Sequence, residues 1–103
     1  MSKYLADINK YDPDADVEVV KKIGKHLGWA MRDKDSSLVA CDDPAERDRV
    51  RENWLFAKLG MTDAKKADAL IAEVCQMMNA VRMKNRVTFY YLVAKKAGLL
   101  NKI

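Results

Sequence analysis

The sequence predicts an all-α fold: one domain spanning residues 1–103, with four to five helices packed around the C-terminal one. Three observations carry that expectation. Half of the 103 residues are hydrophobic, yet only four are Gly and two Pro. That is enough apolar material for one core and too few turn formers for a β-rich chain. Ala, Lys, Asp, Leu and Val dominate with Met well represented, a mixture that favours helices. The apolar residues also recur at helical spacing along most of the chain.

Ser2 caps a short first helix, Lys3 to Lys10, with Tyr4, Leu5 and Ile8 on one side. Asp12-Pro13-Asp14-Ala15-Asp16 breaks it. Pro suits a first helical turn and acids complement the positive end of a helix, so a second helix is expected from Pro13 or Asp14 to about Arg32. Val19, Val20, Ile23, Leu27, Ala30 and Met31 form its apolar face, and Lys21, Lys22 and Lys25 the other. Gly24 and Gly28 serve close packing there or end the helix near Gly28. Leu38, Val39 and Ala40 read either as a helical turn or as an extended piece plugging the core.

Asp43-Pro44-Ala45-Glu46 is a clear helix start, with an acidic cap, Pro in the first turn and Glu three residues after the cap. This third helix runs to about Leu59 and stops at Gly60. Val50, Trp54 and Ala57 make one apolar edge, Leu55 and Leu59 another. Thr62 or Asp63 caps helix four, whose stripe is Ala64, Ala67, Leu70, Ile71, Val74, Cys75, Met78 and Val81. Asn79 to Asn85 then joins it to the last helix, with or without a full break.

That last helix, Arg86 to Ala97, is the most apolar and aromatic run. At about 100° per residue, Met83, Val87, Tyr90, Ala94 and Ala97 share a face, which Phe89 and Val93 widen. The polar remainder is a narrow stripe of Lys84, Thr88 and Lys95 with Tyr91 inside it. The stripe reads as solvated, with the Tyr91 hydroxyl in water. Gly98 supplies the stop, and Leu99, Leu100 and Ile103 fold back onto the body.

Net charge is +4 and lies in the second part of the chain. Residues 1–60 carry 11 Lys/Arg against 12 Asp/Glu; residues 61–103 carry 8 against 3. No apolar run approaches the roughly 18 residues of a membrane span. Met1 to Asn9 lacks the apolar stretch of a signal peptide. Two dispersed cysteines, Cys41 and Cys75, suit a reducing compartment, so a cytoplasmic location is expected.

No catalytic, cofactor-binding or metal-binding pattern stands out. His26 is the only histidine and reads as a boundary or surface residue. Cys41 and Cys75 lack the clustering of a zinc site. Cys75 lies on an apolar stripe, and Asp42-Asp43 beside Cys41 disfavour a thiolate. Asp12, Asp14 and Asp16 imitate a Ca²⁺ loop, but the Gly and Glu that such a loop needs are replaced by Val17 and Ile23. Met77, Met78 and Met83 read as core filler, and Trp29 and Trp54 as core or interface anchors. The candidate contact site for an anion or a partner is the basic cluster Arg82, Lys84, Arg86 and Lys95 with Tyr91 beside it.

Three strings, YLADINKYDPDAD (Tyr4 to Asp16), SLVACDDPAERDRVRENWL (Ser37 to Leu55) and RVTFYYLVAKKAG (Arg86 to Gly98), make the chain similar to a small bacterial family catalogued as domain of unknown function 2853. The resemblance covers nearly the whole chain. It implies a helical bacterial domain of this length and transfers no activity and no site residues. The expected function is therefore non-enzymatic, through protein–protein contacts, with a homo-oligomer or a protein partner. Weak nucleic-acid binding by the basic cluster is the alternative.

Overall fold

Five α-helices and a minimal sheet follow one another in the computed structural model, which describes residues 2–28, 38–81 and 83–103. They are α1 (Ser2–Asn9), α2 (Val17–Leu27), β1 (Leu38–Ala40), α3 (Pro44–Arg49) with a π-helical continuation (Val50–Phe56), α4 (Ala64–Met77), β2 (Met83–Asn85), α5 (Arg86–Lys96) and a closing 3₁₀ turn (Leu100–Lys102). The fold is all-α with one small antiparallel pair. None of these helices is long and apolar enough to cross a membrane. Trp29, Ala30, Met31, Arg32 and Arg82 lie outside the described residues, and with them the expected extension of helix two and the interface reading of Trp29.

Local chemistry explains most element ends. Asp16, Asp43 and Asp63 each accept a backbone N–H with the side chain at the start of α2, α3 and α4, supplying a partner that the first helical turn lacks. Helix two starts at Val17, not at Pro13 or Asp14, because Asp16 takes the cap. Gly28 ends it, and a side chain there would meet nothing within 4 Å; its role is the helix end, not close packing. Asn85 caps α5 by accepting from the N–H groups of Val87 and Thr88. Gly60 and Gly98 hold φ of +79° and +72°, the left-handed conformation that a side chain resists.

The third helix departs from α geometry. Its N–H groups reach five residues back, Ala57 to Glu52 at 3.1 Å and Leu59 to Trp54 at 2.9 Å, and the turn is wider. Under α geometry Leu59 faces about 180° away from Val50. The wider turn instead brings Val50, Trp54, Leu55 and Leu59 all into the core and leaves Ala57, expected on the first edge, exposed.

Leu38 to Ala40 is extended, with Val39 fully buried. It pairs with β2 in the register Leu38↔Asn85, Val39↔Lys84, Ala40↔Met83. The segment before α5 is thus a strand, not a continuation of helix four. Along α4 and the turn after it, Ala67, Ile71, Val74 and Met78 are buried, while Ala64 and Val81, expected on the apolar stripe, and Met77, expected as core filler, are exposed.

α5 is the hub. Every residue from Arg86 to Ala94 is buried, and the helix packs against α1, α2, α4, the π-helical segment, both strands and the final turn. Leu99, Leu100 and Ile103 return to the core's edge.

Candidate functional site

The polar stripe is covered at Lys84, Thr88 and Tyr91 and exposed, as expected, only at Lys95. Thr88 and Tyr91 are buried, because α1 and the acidic segment after it lie over them. The Thr88 hydroxyl donates to Asp7 at 2.5 Å. The Tyr91 hydroxyl donates to Asp12 at 2.6 Å, and Lys95 Nζ meets the same carboxylate oxygen at 2.9 Å. Asp12 also accepts from the Asp14 N–H. The Tyr91 hydrogen bond, then Lys95, hold the Asp12 carboxyl below its ordinary range despite its burial. Burial, reinforced by Asp12, pushes the Tyr91 phenol up in turn.

Arg86 lies at the other end of the helix and is equally enclosed. Its guanidinium pairs with Glu46, donates to the Leu38 carbonyl at 3.2 Å and to the Tyr90 hydroxyl at 3.3 Å, and lies over the Tyr90 ring. Glu46 also takes Arg49. The glutamate expected to serve the cap of its own helix is therefore the buried counter-ion of Arg86. From Tyr90 the contacts run through the buried Trp54 to the exposed His26. Trp54 Nε1–H donates to the Tyr90 carbonyl at 3.0 Å, the two rings sit 4.9 Å apart, and His26 packs on Trp54 at 5.3 Å. Burial raises the Tyr90 phenol and, with Lys58 adding to it, lowers His26.

Lys84 is buried and donates to the Val81 carbonyl. Of the candidate contact residues, then, the structure brings Tyr91 and Lys95 together on Asp12, places Lys84 and Arg86 in separate enclosed positions, and leaves Arg82 outside the described residues. Lys95 keeps a half-exposed side chain.

Cys41 and Cys75 form a disulfide with their Cα atoms 5.9 Å apart, which corrects the expectation of two separate reduced thiols. The turn after β1 carries one and the last full turn of α4 the other. The bond lines an open groove of about 520 Å³ together with Asp42, Asn79, Ala80 and Lys84. Next to these in the chain stand Met77 and Val81, two of the three large apolar side chains that the described residues expose. Sequence reasoning missed this place. Its only signals were an apolar Cys75 and a Cys41 adjoining the buried Leu-Val-Ala strand.

No group of three or more His, Cys, Asp or Glu among the described residues is placed to hold a metal ion. Asp16 and Asp43 are occupied as caps and Asp12 by Tyr91 and Lys95.

Residues 3–101 match the model of a family described as a protein of unknown function, DUF2853. No curated protein matches the chain.

Proposed function

Because the chain belongs to the DUF2853 family, whose description names no activity, we propose from its surface that the protein acts through protein contacts, and that the groove at the end of α4 is a weak self-association face. One observation carries this reading: Met77 and Val81 are exposed beside an open groove lined by the Cys41–Cys75 bond. A twofold interface repeats the same patch on both copies. The Met77 and Val81 side chains of the two copies then meet across the axis. Two apolar side chains and a shallow groove fall short of a standard interface, so the dimer is weak and concentration-dependent.

Sedimentation velocity across a wide concentration range tests it. The wild type shifts towards dimer as concentration rises, and Val81→Asp stays monomeric at the same concentrations. A wild type that remains strictly monomeric overturns the reading, as does a Val81→Asp variant that associates equally well.

The nucleic-acid alternative draws less support. Lys84 and Arg86 spend their charges inside the fold, and Lys95 shares Asp12 with Tyr91. A cytoplasmic location, expected from dispersed cysteines, also draws less support than an oxidising compartment, where disulfides form and persist.

A further inference from the structure

A second groove, of about 330 Å³, is lined by Lys22, Lys25, His26, Lys58 and Ile103. Its cationic wall comes from two elements. Lys22, Lys25 and His26 stand three and four positions apart on α2 and share a face. Lys58 follows the π-helical segment one turn after Trp54. The His26–Trp54 ring contact joins the two elements, so the lysines are brought together by packing and not by sequence.

These lysines lack described counter-ions, as Lys65, Lys66 and Lys102 also do; what sets them apart is that the packing of α2 on the π-helical segment gathers them at one groove. Lys10, Lys21, Lys95 and Lys96 each pair with a carboxylate, at 3.6, 3.6, 2.9 and 3.2 Å. Among the described residues, no carboxylate pairs with Lys22, Lys25 or Lys58. Lys25 and His26 also sit in the last turn of α2, where cations complement the helix dipole. That role explains neither Lys22 nor Lys58, which lies on another element. Lys58 lines the same groove as His26, Lys22 and Lys25. Like charges gathered at a concave site raise the local concentration of the opposite ion.

We propose that this groove binds a small phosphate-bearing anion. Lysine ammonium groups offer only hydrogen-bond donors, and three of them converge where a multiply charged oxyanion neutralises all at once. The volume lies at the small end of ligand sites, which favours a compact oligophosphate over a strand of nucleic acid that must be followed along several phosphates. The inference is independent of self-association.

Titration calorimetry with inorganic tripolyphosphate at low salt, alongside NMR of the His26 ring, tests it. The wild type gives saturable 1:1 binding and a shifted His26 signal. Lys22→Gln and Lys58→Gln each weaken binding by roughly three- to tenfold, as expected for one partly screened charge contact. Lys96→Gln, whose lysine pairs with Glu73, and Val81→Asp bind like the wild type. Absence of saturable binding overturns the proposal, as does full affinity in Lys58→Gln. Binding of a single-stranded oligonucleotide through these lysines without binding of tripolyphosphate overturns it in favour of a nucleic-acid contact.

Discussion

Asp12 shows how much one carboxylate can organise. It terminates the α1 segment, accepts from Tyr91 and Lys95, and thereby ties the N-terminal residues to the last helix. Since the fold holds its pKa below the ordinary value, its contribution is fully present above the unfolded pKa of about 3.9. That contribution disappears as pH falls through the depressed folded value. Acid unfolding monitored by circular dichroism is therefore expected to begin below about pH 4 in the wild type, and Asp12→Asn should lose part of that acid sensitivity. Tyr91→Phe removes a hydrogen bond to a charged group and should cost about 1.5–3 kcal/mol in urea unfolding at neutral pH. Arg86 and Glu46 are the complementary case. Both are nearly enclosed, and losing Arg86 leaves the buried Glu46 to the half-exposed Arg49 alone. Arg86→Met is expected to cost about 3–5 kcal/mol, and the double variant Arg86→Met with Glu46→Leu less than that; a double-mutant cycle measures the difference.

At the scale of elements, α5 carries the fold, and Phe89, fully buried on it, is its simplest probe. Phe89→Ala should destabilise by about 3–5 kcal/mol, measured by chemical denaturation. This helix was legible in the sequence because its signals are local: an apolar run and Gly98 after it. The same holds for the start of α3 at Asp43-Pro44, the stop at Gly60 and the stripe of α4. What escaped depends on distant partners. Lys84, Thr88 and Tyr91 form a polar stripe by any angular count, and only distant partners turn it inward: Asp7 of α1 at Thr88, Asp12 at Tyr91 and the pairing with β1 at Lys84. β2 exists because β1, more than forty positions earlier, pairs with it. The π-helical turn escaped because angular counting assumes α geometry. For Lys84, Arg86 and Tyr91 the chemistry was readable but the burial was not, and the two grooves assemble residues that no sequence window contains.

For the molecule as a whole, the Cys41–Cys75 bond joins β1's turn to α4 across 34 positions. A crosslink of that span restricts the unfolded chain by about 3–4 kcal/mol in the chain-entropy model. The double variant Cys41→Ser with Cys75→Ser should remain helical, since the apolar core lies on other residues, and should unfold at correspondingly lower denaturant than the oxidised wild type. Reduction of the wild type should move its midpoint to that of the variant.

The bond has a mechanical meaning too. It short-circuits the segment between Cys41 and Cys75, so force applied at the two ends of the chain passes through the sulfurs and bypasses α3, its π-helical continuation and most of α4. In an optical trap the oxidised molecule should therefore extend less on full unravelling, by roughly 110–120 Å at 3.3–3.6 Å per residue for those 34 positions. Adding a reductant while the chain is held taut should release that hidden length in a single step.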